Sequence, residues 1–338
     1  MELVRTLLEL GLSLLPVVLF LLALRAMDSY KLVPARRLIM MLVLGAAVAG
    51  VAYGANTAVA RLTLIDAEGL RRYVAPLIEE ALKASIVTVW IVRRRVGFVV
   101  DAAILGFAVG AGFAVVENVY YLSAVGDASL ATWIVRGFGT AIMHGGTTCL
   151  YGILSKTFMD RSEAGRLAPY IPGFLLACVL HSLFNHLALQ AFYLTSVQLL
   201  VLPLLILVIF ARSEDFTRRW LGVGFDTDQE LLELIKRGGV SVTPIGRYLQ
   251  DLRSRFDGAI VADMLCWLRI RLELTIKAKG IMLMTEAGFK VPVDPAVKEK
   301  FAELEYLEKS IGKTGLMAIS PCLHHDDRDL WQIHLLGG

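Results

Sequence analysis

The segment APLIEEALKASIVTVWIV, residues 75–92, joins an apolar composition to three charged side chains near its middle. In water, Glu79, Glu80 and Lys83 would simply face the solvent on one side of a helix. The rest of the segment is apolar enough for a helix inside a bilayer. Each ionisable group costs about 2.5–3.5 kcal/mol at the centre of a membrane helix on insertion scales. We therefore expect these side chains to face other helices of a membrane bundle.

The composition of the whole chain supports this class. Of its 338 residues 56% are hydrophobic and 19% are charged, with a mean hydropathy of +0.63. Soluble domains contain about 25% charged residues, so the balance indicates an integral membrane protein in contact with a lipid bilayer. The net charge of +3 is too small to indicate nucleic-acid binding. The four cysteines show no regular spacing that would predict a disulfide framework.

About seven apolar segments reach the roughly 20 residues needed to cross a bilayer. We place them near residues 4–26, 38–60, 72–92, 98–122, 131–153, 168–190 and 191–211, with the last two divided near Gln190. Lysine and arginine crowd the first, third and fifth loops, whereas the fourth loop has neither. The positive-inside rule then puts the N-terminus outside and the C-terminus in the cytoplasm. The predicted fold is all-α, a polytopic helical bundle with a C-terminal helical cytoplasmic domain.

The composition changes near residue 213, which divides the chain into a membrane domain, residues 1–212, and a cytoplasmic domain, residues 213–338. Segments such as DTDQELLELIKR, residues 226–237, have the apolar spacing of amphipathic helices. We expect a helical module without catalytic residues. The late motif PCLHHDD holds Cys322, His324 and His325. Because no second ligand cluster accompanies it, an exposed polar tail is favoured over a metal site.

Other predicted spans also carry polar side chains, which gives the bundle a set of candidate site residues. Helical spacing places Glu79 and Lys83, or Glu80 and Lys83, on one face of the third span. Glycines of the fourth and fifth spans allow the close helix approach that a shared site requires. The candidate residues on the later spans are Glu117 on the fourth, His144 on the fifth, and His181 and Asn185 on the sixth.

The charges of this set suggest a metal. Three ionised glutamates and one lysine leave a net charge of −2 in a medium of low dielectric constant, which protonation or a divalent cation must remove. Neutral imidazoles and carboxylates are good zinc ligands, and a three-ligand site keeps a position for water. The sequence has no H-E-x-x-H motif. Such a site would therefore assemble from separate helices.

Four motifs in this order resemble those of the PrsW family of intramembrane proteases, relatives of the CAAX prenyl endopeptidases. That family's pattern is E-E-x-x-K, then F-x-x-x-E, a histidine, and H-x-x-x-D/N. The prenyl-endopeptidase branch has E-E-x-x-x-R and F-x-x-x-H instead, so the chain is more similar to PrsW. The likeness covers roughly residues 70–190, and its motifs are EEALK from Glu79, FAVVEN from Phe113, His144, and HSLFN from His181.

The resemblance implies a set of roles. One of Glu79 and Glu80 would be the general base and the other a ligand or orienting group, with the order left open. Zinc ligands would be the three residues Glu117, His144 and His181. Asn185 would orient a partner of His181 or donate to an oxyanion. The implied substrate is a single-span transmembrane protein of the anti-sigma-factor type, in a bacterial inner membrane. Nothing in the sequence indicates the oligomeric state.

The predicted depth of the cluster locates the cut. Counting at 1.5 Å per residue puts Glu80 about 12 Å, Glu117 about 8 Å and His181 about 13 Å below the outer boundary, with His144 deeper at about 20 Å. This favours cleavage at the extracytoplasmic edge of the substrate's span. A different class remains open, because a cation- or proton-coupled carrier, or a scaffold, could bury the same polar cluster. Carriers usually show an internal repeat, and none is evident here.

Overall fold

The computed structural model describes residues 2–28, 30, 32–124, 139–161, 167–186, 191–289, 291–292, 294–319, 322 and 336. Within this part of the chain every regular element is a helix and none is a strand, which confirms the all-α prediction. Three predictions fall partly or wholly outside it: the start of the fifth span, the division near Gln190, and the tail histidines His324 and His325.

The helices follow one another through mostly short connections. A π-helical turn, Leu70–Val74, directly joins the helices Ala67–Gly69 and Ala75–Val92. Short 3-10 turns precede the helices Ile171–His186 and Pro244–Leu252. The helix bounds are α1 Glu2–Met27, α2 Ala35–Leu62, α3 Ala67–Gly69, α4 Ala75–Val92, α5 Val99–Ala124, α6 Ala141–Met159, α7 Ile171–His186, α8 Ala191–Lys236, α9 Pro244–Leu252, α10 Gly258–Glu286 and α11 Ala296–Ile319.

The chain divides into two compact units, Met1–Ser213 and Glu214–Gly338, with the division inside α8. The first unit contains every candidate site residue. In the second, α10 packs against α11 around Leu268 and Leu274, which are fully buried. The roles assigned to the two domains remain predictions.

Among the described residues of the first unit, three helices are long and apolar enough to cross a membrane: Ala35–Leu62, Val99–Tyr121 and Ala168–His186. They correspond to the predicted spans 38–60, 98–122 and 168–190. The total of seven spans and the orientation of the bundle remain predictions. Large apolar side chains on the outer face of α2, such as Val43 and Val51, are exposed in the way that contact with lipid requires.

The helix α5 forms the centre of the first unit. Its residues 102–114 are buried, and it packs against α2 on one side and α6 on the other. Close approach depends on glycine, because a Cβ atom added at Gly110 would overlap the backbone of His144, and one at Gly112 would overlap Leu42. The contact at Gly110 fixes the α6 backbone at His144 against α5, and the contact at Gly112 fixes α2 against α5. The glycines that suggested close packing in the sequence therefore help to place the candidate site.

We expect Gly110→Ala to destabilise the protein, because the added methyl group forces α5 and α6 apart at a packed contact. Overpacking of this kind costs about 1–3 kcal/mol. Gly50→Ala on the exposed side of α2 is the matched control, since nothing lies within 4 Å of a Cβ built there. Thermal unfolding in detergent measures both variants. Equal melting temperatures for the two would contradict the packing account.

Candidate active site

The candidate site lies near one end of the first unit, where five helices begin or finish. Glu79 and Glu80 follow the start of α4 at Ala75 by one turn, and His144 lies in the first turn of α6. His181 is in the last turns of α7. The imidazole of His144 contacts side chains of α4 and α5 and so belongs to the same cluster. The depth of His144 in a bilayer remains a prediction.

Of the three glutamates in the cluster, Glu79, Glu80 and Glu117, the most enclosed is Glu80, at 2% exposure. Its Oε1 atom accepts hydrogen bonds from Lys83 Nζ at 2.6 Å, His181 Nδ1 at 2.8 Å and Thr147 Oγ1 at 3.2 Å. Lys83 therefore pairs with Glu80, three residues earlier, and not with Glu79. Three donors on one oxygen make Glu80 an acceptor that holds α4, α6 and α7 together.

The imidazole of His144 is held at both ring nitrogens. Lys83 Nζ donates to Nδ1 at 2.9 Å, because an ammonium group can only donate. In a neutral ring the proton then lies on Nε2, which is 2.5 Å from Glu117 Oε2 and donates to it. The ring of Phe113 packs beside His144, with centroids 4.7 Å apart, and carries Lys83 Nζ 5.0 Å from its own centroid. This network selects the tautomer of His144.

The imidazole of His181 has one nitrogen engaged and one available. Its Nδ1 donates to Glu80, while Nε2 lies 3.8 Å from Glu79 Oε2. A carboxylate that accepts from one ring nitrogen leaves the lone pair of the other nitrogen for a metal, an arrangement common around metal-binding histidines. The rings of His181 and His144 are nearly perpendicular, with their centroids 4.8 Å apart.

The two other carboxylates are more accessible than Glu80. The Glu79 side chain is 15% exposed and its Oε1 accepts from Asn56 Nδ2 of α2 at 3.0 Å. The Glu117 side chain is 29% exposed. Water can therefore reach Glu117 most easily, Glu79 less easily, and Glu80 hardly at all. This difference separates three glutamates that are chemically identical in the sequence.

One group within the described residues could hold a metal ion: Glu79, His144 and His181, whose donor atoms all lie within 4.8 Å of one another. Zinc bonds of about 2.0–2.1 Å separate tetrahedral ligand atoms by about 3.3 Å, so side-chain adjustments suffice to close the set. In the tautomer described above, the free lone pair of His144 is on Nδ1, so a metal would replace Lys83 there and Nε2 would keep its contact with Glu117. With both imidazoles neutral, the three glutamates and Lys83 leave a charge of −2. The residues fit a divalent cation by donor type, spacing and charge.

The structure brings six of the seven sequence-predicted site residues together, and Asn185 lies apart from them. Its Nδ2 donates to the backbone oxygen of Arg71 in the π-helical turn, at 2.9 Å. His186 contacts its own helix through the backbone oxygen of Ser182 and packs against the ring of Tyr73.

Sequence reasoning missed two residues that contact the cluster, Asn56 and Thr147. Asn56 was detectable as an amide within an apolar span, a position that usually requires a hydrogen-bond partner. Thr147 lies one helical turn after His144 on the same face, so the spacing alone would have pointed to it. Neither residue belongs to the motifs on which the sequence analysis relied.

Comparison with known proteins adds one finding to this geometry. A family model described as PrsW family intramembrane metalloprotease matches residues 33–211, slightly more than half of the chain. No curated protein matches the chain, and no solved structure does. The matched region contains all the clustered side chains as well as Asn56 and Asn185. The relation to the CAAX prenyl endopeptidases remains an expectation. The chain belongs to the PrsW family of intramembrane metalloproteases.

Proposed function

We propose that this protein is an intramembrane endopeptidase that cleaves a single-span membrane protein near the edge of its span. The observation that carries the proposal is the buried meeting of His144, His181 and Glu79 at one end of the bundle, inside the region matched by the family model. By resemblance, the substrate class is a single-span protein of the anti-sigma-factor type in a bacterial inner membrane.

The proposed metal is zinc, held by Glu79, His144 and His181. Two histidines and one glutamate form a ligand set found in catalytic zinc sites, in which a fourth position stays open. A metal ion bound there would polarise the scissile carbonyl and acidify the attacking water. Asn56 supports Glu79 from α2, and Glu80 supports His181 from α4. Glu79 and His181 would therefore be oriented before any metal arrives.

Glu117 is the proposed general base. It is the most exposed of the three carboxylates and lies beside His144, so an attacking water can reach it. It would accept a proton from that water and return it to the leaving amide nitrogen. This differs from the sequence-based interpretation, which made Glu117 a ligand and one of the paired glutamates the base. Glu80 is too enclosed by donors to accept a further proton, and it positions the site together with Lys83.

The position of the cluster supports cleavage near a membrane surface. The predicted span bounds put Glu80 about 12 Å and His181 about 13 Å below the outer boundary, in the outer half of a core of about 30 Å. A helical substrate must unwind before its carbonyl can be attacked, and the freed backbone groups find water only near the interface. With the N-terminus outside, as the loop charges indicate, this end of the bundle is extracytoplasmic. The cytoplasmic domain would then act in regulation or substrate docking.

Metal analysis of purified variants separates ligands from base. We expect about one zinc per chain in the wild type, and loss of metal and activity in His181→Ala and Glu79→Gln. Glu117→Gln should keep its metal but lose about 10²–10⁴-fold in cleavage rate, the usual contribution of a general base. Glu68→Gln, an exposed carboxylate at the same end, is the control. If Glu117→Gln lost the metal as well, Glu117 would be a ligand. Full cleavage activity in every variant would contradict the proposed ligands and the proposed base.

We expect Asn56→Leu to weaken zinc binding by about 10-fold, because the orienting hydrogen bond to Glu79 is lost while the side-chain volume is kept. Competition with a chelator measures the affinity without reference to activity. Thr57→Val is a suitable control, since Thr57 Oγ1 donates only to the Tyr53 backbone oxygen of its own helix. Unchanged affinity in Asn56→Leu would argue against this supporting role.

A third experiment locates the scissile bond. We expect cleavage in the extracytoplasmic half of the substrate's span, towards its edge, because the predicted span bounds put Glu80, Glu117 and His181 about 8–13 Å below the outer boundary. Mass spectrometry of both fragments of a doubly tagged substrate identifies the bond. A cut in the cytoplasmic half would mean that the orientation or the site is wrong.

A further inference from the structure

The start of α4 contains a backbone defect next to the candidate site. In the π-helical turn Leu70–Val74, the N–H of Ala75 donates to the oxygen of Leu70, five residues earlier. The oxygen of Arg71 thereby loses its α-helical donor. The next residue, Pro76, has no N–H, so the oxygen of Arg72 also loses its α-helical donor. Two successive carbonyl groups are left without their usual partners.

Side chains of α7 replace the missing donors. Ser182 Oγ donates to the oxygen of Arg72 at 2.6 Å, and Asn185 Nδ2 donates to the oxygen of Arg71 at 2.9 Å. The two side chains are three residues apart and therefore share a face of α7. His181 immediately precedes them and donates to Glu80. Three polar contacts thus join α7 to the π-helical turn and to the second turn of α4.

These contacts have a structural consequence for Glu79, which lies only three residues after Pro76. A proline near the start of a helix favours a new helix beginning there, and first turns fray when their neighbours are not held. A carbonyl group that is shielded from water and lacks a donor is costly, so the donors from α7 help to keep the turn ordered. The contacts made by α7 therefore fix the backbone that carries Glu79 and Glu80.

We propose that Ser182 and Asn185 are positioning residues that clamp the π-helical turn and so hold Glu79 and Glu80 against the two histidines. The clamp itself is a property of the fold, and its effect on cleavage rests on the proposed function. In this structure the Asn185 side chain donates a hydrogen bond to the protein's own backbone, at Arg71. Its assignment to an oxyanion, which the resemblance implied, has no counterpart in this geometry.

A pair of isosteric variants tests the clamp. Ser182→Thr keeps the hydroxyl group and Ser182→Val replaces it with a methyl group of the same size. We expect Ser182→Val to melt about 2–4 °C below Ser182→Thr, as the loss of one satisfied hydrogen bond predicts. In a Pro76→Ala background, residue 76 regains an N–H for the Arg72 carbonyl, and the difference should shrink by at least half. Ser85→Ala is the control, because Ser85 Oγ donates within its own helix to Leu82.

Kinetics distinguish positioning from direct catalysis. The clamp requires Ser182→Val and Asn185→Leu to lower kcat by similar factors, about ten-fold for a displacement of part of an ångström, with KM nearly unchanged. An oxyanion role for Asn185 predicts a large loss in Asn185→Leu alone. Equal melting temperatures and rates for Ser182→Val and Ser182→Thr would overturn the clamp in a protein that folds and cleaves. If Ser182→Val and Ser182→Thr differ in melting temperature but the wild type cleaves no substrate, the clamp stands and the proposed function is wrong.

Discussion

The buried ammonium group of Lys83 is the interaction on which the site depends. It is fully enclosed and donates to Glu80 and to His144, on two different helices. Removing one partner of a buried ion pair costs about 3–5 kcal/mol, because the remaining charge is left without compensation. The same ammonium determines which nitrogen of His144 carries a proton. A single charge therefore joins α4 to α6 and sets the tautomer of the neutral His144 ring.

Around this charge, the environment gives three glutamates three different properties. Glu80 accepts three hydrogen bonds on one oxygen and is closed to water. Glu79 is partly exposed and oriented by Asn56, and Glu117 is the most exposed of the three. Differences in access and hydrogen bonding would allow identical side chains to serve in the three proposed roles of structural anchor, ligand and base. The packing of the helices produces these differences, because it leaves each of the three glutamate side chains with a different exposed fraction.

The backbone around the site is as specialised as its side chains. Gly110 lets the α6 backbone approach α5 beneath His144, and the π-helical turn before Pro76 lets α7 reach the backbone of α4. Both devices put donors and acceptors of separate helices within hydrogen-bonding range. Both also leave the apolar outer surface unchanged, so the bundle can keep a polar interior within a bilayer.

The sequence by itself determined the helical class, the membrane character and the six residues that meet in the cluster, because composition and helical spacing act locally along the chain. It could not decide that Lys83 pairs with Glu80, since both glutamates lie within one helical turn of it. It also could not place Asn56 beside Glu79 or Asn185 on the π-helical turn. Those contacts join residues 23 and 114 positions apart. Only the packing of the helices decides them, since rotation and depth of each helix depend on its neighbours.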